Sequence, residues 1–379
     1  MSRRKEKLAR RFAERVAGGA AQPGFPGSDW GAPRERGVHA ASGLGAIGIE
    51  SEFSVFLDGQ PVKPEDVFGS PTAIVRDRMM HRTGRSYHLP TGTAVYFDTG
   101  VIELATPMIE LAPSCAARAG RSLWEGILYL REELDHWERR HGREVQLAGF
   151  STHYNVSYDI PRAEQTRDRN PWTLAVLMTH LLAIPVMLLA ANRRSTGIGA
   201  RPRPNRLEIT ADFTPDAALM IATATLIVGV LREVMTWPAY RVEELARRGL
   251  PMLRDFTPVP HSSRKGWVAK HSCYERNPFT TDVDDAVWTT TDGERLSLRQ
   301  FGARVVHHFR GALERYGDPR SLRLIDAVME RRRLSLLELA DRPASYDDVG
   351  RACRWDDLFP EGELTRSRYE RVVRRTVSR

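Results

Sequence analysis

Four separate segments of this chain place acidic, imidazole or amide side chains at alternate positions. They lie at 48–53, 94–107, 151–157 and 205–210. Because residues i and i+2 of a β-strand point to the same face of a sheet, each segment predicts a strand with one apolar side and one polar side. If the four strands share a sheet, one face of it carries Glu50, Glu52, Asp98, Glu103, His153 and Glu208.

A sheet face with this many carboxylates repels itself unless cations bind to it. Carboxylate ligands with a single imidazole favour Mg²⁺ or Mn²⁺ over zinc, which prefers Cys and His. Basic residues lie nearby in the sequence, some of them in a segment at 193–205 whose Arg, Gly and Pro content predicts a loop. Acids, metal and basic residues together suggest a site that binds a polyphosphate between cations. Sites of this kind catalyse phosphoryl transfer. The basic residues concerned are Arg201, Arg203, Arg264, Lys265 and Lys270.

Each of these residues also has a simpler structural interpretation. Glu50 and Glu52 alone would be typical of a solvated sheet face, and a lone His153 of a hydrogen-bonded strand histidine. Glu208 next to Arg206 could form an ordinary cross-strand ion pair. The repetition of the pattern in four segments favours the metal site.

Asp98 and Glu103 are five positions apart, so a regular strand would place them on opposite faces. A β-bulge at Gly100 would insert one residue and restore a shared face. We therefore predict that Tyr96, Asp98 and Glu103 face the same cleft. The alternative for Asp98 is a turn residue, because Asp-Thr-Gly favours turns.

The 379 residues carry a net charge of +8, and residues 1–40 contain nine Lys/Arg but only four Asp/Glu. Since the basic excess is concentrated there and no nucleic-acid-binding motif is present, we expect no nucleic-acid partner. The apolar stretch at 172–191 contains His180 and Pro185, which favours a buried helix over a membrane span. Three widely separated cysteines fit a reducing compartment, so we expect a cytoplasmic protein.

Composition predicts three regions. Residues 1–40 are expected to be a disordered basic tail, and 41–294, with its strand and helix patterns, to form an α+β domain. Helical periodicity with exposed charge predicts a C-terminal helical subdomain at 295–379.

Taken together and in their order along the chain, the polar strand motifs resemble those of the glutamine synthetase superfamily of carboxylate–amine ligases. The similar branches are the gamma-glutamate–cysteine ligase type 2 group and the Pup ligase/depupylase group. The segment 48–53 resembles their opening GIExEF strand, and 96–107 is similar to the YxD…ExATP strand of the Pup enzymes. His153 and Asn155 resemble their HxN, 206–208 resembles an RLE strand, and 264–270 faintly resembles KWxAxR. The resemblance covers roughly residues 44–290, and it implies that 41–294 is a glutamine synthetase-like catalytic domain.

The resemblance implies a curved antiparallel sheet with helices packed on one side, holding ATP and two or three Mg²⁺ ions, with Mn²⁺ as a substitute. It implies that ATP phosphorylates a substrate carboxylate and that an amine then displaces the phosphate. Carried over to this sequence, Asp98 and Arg206 are catalytic residues, Asp98 being the base for the amine. The nucleotide contacts would be His153, Asn155, Arg203 and Lys265, and the metal ligands Glu50, Glu52, Glu103 and Glu208.

One position departs from the pattern. The superfamily usually carries Arg two residues after the last of these Glu residues, where this chain has Thr210. Either Arg201, Arg203 or Arg206 substitutes, or the transfer step is altered. The leading hypothesis is a ligase acting on an amino acid, peptide or small protein. The alternatives are a depupylase-like amide hydrolase and a non-catalytic nucleotide-binding protein.

Overall fold

A computed structural model describes residues 45–77, 79–81, 86–261, 266–338 and 348–351. The predicted tail at 1–40 and the predicted nucleotide contact Lys265 lie outside these ranges. The three predicted regions therefore stay predictions.

The described residues form an α+β fold built on a large antiparallel sheet. The strands are β1 (Ala46–Leu57), β2 (Gln60–Val62), β3 (Met80–His81), β4 (Tyr87–His88), β5 (Ala94–Asp98), β6 (Val101–Ala105), β7 (Ile109–Glu110), β8 (Val145–Ser157), β9 (Ile198–Arg203), β10 (Arg206–Asp212), β11 (Val259–Pro260), β12 (Trp267–Ala269), β13 (Trp288–Thr289) and β14 (Arg295–Leu296). Ten of them follow in the order β11-β12-β9-β10-β8-β1-β6-β5-β4-β3. Strands β2 and β7 pair with β1, and β13 and β14 form a separate hairpin.

Helices cover the apolar face of the sheet. Helix α2 (Cys115–His141) packs on β1, β6 and β8, α3 (Pro171–Ala190) packs on β9 and β10, and α4 (Ala217–Val234) packs on β8. Alternate strand residues such as Ile49 and Phe53 are fully buried against them. This period-2 burial is the alternation from which the strands were predicted. The helices are α1 (Pro64–Phe68), α2 (Cys115–His141), α3 (Pro171–Ala190), α4 (Ala217–Val234), α5 (Glu243–Arg247), α6 (Leu298–His308), α7 (Arg310–Tyr316) and α8 (Pro319–Met329).

In the described part of the chain, α3 and α4 are long and apolar enough to cross a membrane. In each of them 83% of the apolar window is buried inside the protein. They pack against each other, and α3 also packs against the sheet. Burial of this kind is typical of core helices.

The C-terminal helices share this core. Helix α6 packs on α3, while α7 and α8 pack on α4. Their buried side chains, including Phe301, Leu313 and Ile325, belong to the same hydrophobic cluster as the sheet residues. The described residues of 295–338 are therefore packed directly on the helices that support the sheet.

Two local predictions are corrected by the strand pairing. The segment 94–105 is not one bulged strand but a hairpin of β5 and β6 joined by Thr99 and Gly100. The segment 193–205 is not wholly a loop, because β9 (Ile198–Arg203) pairs with β10.

Candidate functional site

The polar face of β1 forms the centre of the site. Glu50 pairs in register with His153 of β8, and Glu52 pairs with Ser151 of β8 on one side and Glu103 of β6 on the other. Directly paired residues point to the same face of a sheet, so these side chains converge. The structure thus brings together acids that are more than fifty residues apart in sequence.

The acids form two overlapping groups whose ligand atoms lie within 4.8 Å of one another. One contains Glu50, Glu103 and His153, and the other contains Glu52, Asp98 and Glu103. Glu103 belongs to both. Asp98 reaches this face because the hairpin pairs it with Val101, two residues from Glu103, and not because of a bulge.

His153 lies between the carboxylates of Glu50 and Glu52. Its Nδ1 is 3.6 Å from Glu50 Oε2, and its Nε2 is 3.8 Å from Glu52 Oε1. Ser151 Oγ donates to Glu52 Oε2 at 2.7 Å and lies 3.2 Å from His153 Nε2. Ser151 therefore links the histidine to a carboxylate, in the way that outer-shell groups orient metal ligands.

Glu103 is an acid of the site whose pKa is strongly perturbed. Burial, followed by the charge of Glu50, raises the pKa of Glu103 to about 9. Tyr96 donates a hydrogen bond to Glu103 Oε1, which opposes this shift, and burial raises the pKa of Tyr96 itself. Without a cation, Glu103 therefore keeps its proton at neutral pH.

The donor set fits a hard divalent cation. Four carboxylates and one imidazole converge in a half-buried to buried setting, which suits Mg²⁺ or Mn²⁺. A bound cation would also stabilise the ionised form of Glu103, because positive charge lowers the pKa of a neighbouring carboxyl. The residues that could hold it are Glu50, Glu52, Asp98, Glu103 and His153.

Glu208 lies outside both of these groups and among arginines instead. It is buried, forms an ion pair with Arg201, and accepts a hydrogen bond from Arg203 Nε at 2.8 Å. Burial acts to raise its pKa, but the charges of His153, Arg201 and Arg203 outweigh that effect and lower it. Glu208 is therefore not among the ligand atoms that lie within 4.8 Å of one another, and its role as a metal ligand stays a prediction. The structure shows an ion pair of Glu208 with Arg201 of the paired strand and a hydrogen bond from Arg203, where the simpler interpretation had named Arg206 as the partner.

The remaining predicted residues that the structure describes lie on the same face. Arg206 Nε donates to the Oδ1 of buried Asn155 at 2.7 Å. Thr210 pairs with His153, and Arg201 extends from the neighbouring strand to within 3.4 Å of His153 Nε2. A guanidinium group therefore lies beside His153 although position 210 is not arginine.

Sequence reasoning missed Ser151 and the bulge beside it. Glu52 pairs with Ser151 while Phe53 pairs with Gly149, so Phe150 is the inserted residue, and its side chain is 57% exposed. A Cβ on Gly149 would lie 2.2 Å from the Phe213 ring, so glycine is required at this position. The alternation of Ser151, His153 and Asn155 was the signal that could have identified the serine.

Comparison with protein-family models found no match, and comparison with curated proteins found none. Among solved structures, the chain is similar to a chain in the crystal structure of the complex between the prokaryotic ubiquitin-like protein Pup and its ligase PafA. The identity is 14% and the TM-score 0.43, over 80% of this chain and 64% of that chain. The match therefore spans less than two thirds of that chain. A similarity of this degree does not assign the protein to a family.

Proposed function

We propose that this protein is an ATP- and Mg²⁺-dependent carboxylate–amine ligase. Its product would be an amide or isopeptide bond on an amino acid, peptide or small protein. The observation that carries the proposal is the two clusters of acidic residues that have Glu103 in common. They lie beside Arg201 and Arg203 on one face of an antiparallel sheet. The motif resemblance of the same segments supports it.

The charges on this face are suited to two anionic substrates. Bound Mg²⁺ would neutralise charge on the transferred phosphoryl group. Its ligands would be Glu50, Glu52 and Glu103, together with either Asp98 or His153. Arg203 is partly exposed and is available to contact a phosphate oxygen while retaining its bond to Glu208. Arg201, rather than Arg206, is the arginine that we propose to replace the one missing at position 210, because it lies beside His153.

The reaction would proceed in two steps. A substrate carboxylate oxygen attacks the γ-phosphorus of ATP, forming an acyl phosphate and releasing ADP. The amine then attacks the acyl carbon, its proton passes to the Asp98 carboxylate oxygen that does not contact the cation, and inorganic phosphate leaves. Asp98 suits this role because it is half-buried at the end of β5, with one oxygen accepting from Thr99 Oγ1 at 2.8 Å.

The proposal is tested by phosphate release from Mg²⁺-ATP in the presence of a panel of carboxylates paired with amines. The expected result is release that requires both a carboxylate and an amine and matches amide formation. Amide hydrolysis without ATP consumption would indicate the hydrolase alternative. Nucleotide binding with no phosphate release for any pair would contradict the ligase and favour a non-catalytic protein. Cytoplasmic location without a nucleic-acid or membrane partner is part of the proposal.

A further inference from the structure

The turn that carries Asp98 into the site has a strained backbone. Asp98 and Val101 form the last pair of the β5–β6 hairpin, and Thr99 and Gly100 complete a two-residue loop. Both loop residues have positive φ, +52° at Thr99 and +97° at Gly100. Positive φ suits glycine but is an outlier for a β-branched residue such as threonine. The surrounding structure must therefore hold this turn in place.

Two hydrogen bonds within the described part of the chain stabilise this turn. Thr99 Oγ1 donates to Asp98 Oδ1 at 2.8 Å, which ties the loop to the side chain that enters the site. The amide of Gly100 donates to Glu65 Oε1 at 3.1 Å. Glu65 belongs to the short helix α1, thirty-five residues earlier in the chain, so this second bond anchors the turn to a separate element.

The anchoring carboxylate is in an unfavourable setting. Its second oxygen, Glu65 Oε2, is buried and has no hydrogen-bond partner among the residues that the structure describes. A buried carboxylate oxygen without a partner costs stability, so this residue is poorly explained by stability alone. The Gly100 contact is what the glutamate provides.

The position of Asp98 depends on this turn because the residue ends its strand. The other two acids of its group, Glu52 and Glu103, lie inside β1 and β6, with strand neighbours on both sides. In the strand pairing of the described residues, Asp98 pairs with Val101 at the end of the hairpin, and its carboxylate lies within 4.8 Å of theirs.

We propose that Glu65 is a positioning residue for Asp98, acting through the amide of Gly100 to hold the Asp98 carboxylate in the cation site with Glu52 and Glu103. The proposal rests on the cation site of the proposed function. It concerns how that site is built rather than which substrate it serves.

Two variants of Glu65 separate the effect of its hydrogen bond from the effect of its charge. Glu65→Gln keeps an acceptor for Gly100 and removes the charge, whereas Glu65→Ala removes both. Asp66→Ala is the matched control, because Asp66 is an exposed acid in the same turn of α1. Asp98→Asn reports what loss of the Asp98 ligand does to the site.

The measurement is Mn²⁺ binding to the full chain, followed by electron paramagnetic resonance of the free ion and without any substrate. The wild type should bind two ions, and Asp98→Asn should weaken one of them. Glu65→Ala should weaken that same ion about tenfold, as loss of an outer-shell group does. Glu65→Gln and Asp66→Ala should bind within about threefold of the wild type, below that outer-shell effect. In the Asp98→Asn background, Glu65→Ala should have no further effect.

Wild-type Mn²⁺ affinity in Glu65→Ala would overturn the proposal, as would Glu65→Gln weakening the ion as much as Glu65→Ala. Additive losses in the double variant would also overturn it, because they would place Glu65 outside the Asp98 site. Absence of Mn²⁺ binding in the wild type would remove the cation site itself. If the Mn²⁺ results are as expected but no phosphate is released with any substrate pair, the ligase proposal fails and the positioning role stands.

Discussion

Glu103 of β6 lies directly opposite Glu52 of β1, and its carboxylate is shared by both acidic groups of the site. Two acids at directly paired positions are unfavourable in a sheet. Here a third, Glu50, lies two residues from Glu52, and Glu103 is buried. This arrangement is stable with a cation bound or with a proton on Glu103, and the two states differ in charge.

Tyr96→Phe should weaken cation binding most at neutral pH. The Tyr96 hydrogen bond lowers the pKa of Glu103, so its loss should raise that pKa further above about 9. The proton then competes more strongly with the cation at pH 7, and less at pH 9.5 where Glu103 ionises more readily. We expect Mn²⁺ affinity to fall about tenfold at pH 7 and the loss to shrink as pH rises. Tyr129→Phe, which loses a bond to Asp77 outside the site, is the control. A loss independent of pH would contradict the explanation.

Arg201→Ala should destabilise the fold, because it leaves buried Glu208 with Arg203 as its cation. Removing one partner of a buried ion pair costs about 3 kcal/mol of the free energy of unfolding. Urea denaturation measures this cost, and adding Glu208→Gln to the variant should recover part of it. Arg143→Ala is the control, since its ion pair with Asp58 is half exposed and should be worth less than about 1 kcal/mol. Equal effects of the two arginine variants would be inconsistent with the burial of Glu208.

Gly149→Ala should destabilise the protein by about 1–3 kcal/mol, because the new methyl group would overlap the ring of Phe213. The bulge at Phe150 would have to shift, and Ser151 with it. Gly311→Ala is the control: no atom lies within 4 Å of a Cβ there, and the position is inside helix α7. Thermal unfolding should show destabilisation for the first variant and slight stabilisation for the second. A neutral Gly149→Ala would contradict the close packing under the bulge.

His180 should make the fold less stable in mild acid. Burial beside Phe256 lowers the pKa of His180 to about 4 from an ordinary 6.5. As pH falls, the unfolded chain takes up the proton first, so the stability present above pH 6.5 is lost progressively toward pH 4. Between pH 7 and 5 the loss should be on the order of 1 kcal/mol. His180→Gln should reduce this slope in urea titrations, whereas exposed His307→Gln should leave it unchanged. An unchanged slope in His180→Gln would show that this histidine is not the cause.

The strands of the site could be predicted from sequence because alternation has a direct geometric meaning. Glu50 and His153 each stand beside a fully buried apolar residue of the same strand, Ile49 and Tyr154, and the fold places both side chains and Glu52 on the polar face. The pairing of those strands brings Glu103 to them.

What could not be predicted depends on backbone conformation and long-range pairing. The hairpin turn at Thr99 and Gly100 was not predicted, because Thr99 has a positive φ and a β-branched residue is unexpected in that conformation. Two prolines and two glycines between 197 and 204 concealed β9, and with it the partners of Glu208. The contact of Glu65 with Gly100 has no sequence signal, since it depends on how α1 packs against the hairpin.

The central claim, that the acids around Glu103 serve ATP-dependent bond formation, is tested most directly by Glu103→Gln. Phosphate release from Mg²⁺-ATP should be measured for the wild type, for this variant and for Glu132→Gln, an exposed helix position that serves as control. We predict release coupled to amide formation in the wild type and the control, and at least a 100-fold loss in Glu103→Gln, comparable to the loss of a transition-state charge contact. Full phosphate release by Glu103→Gln would contradict the claim.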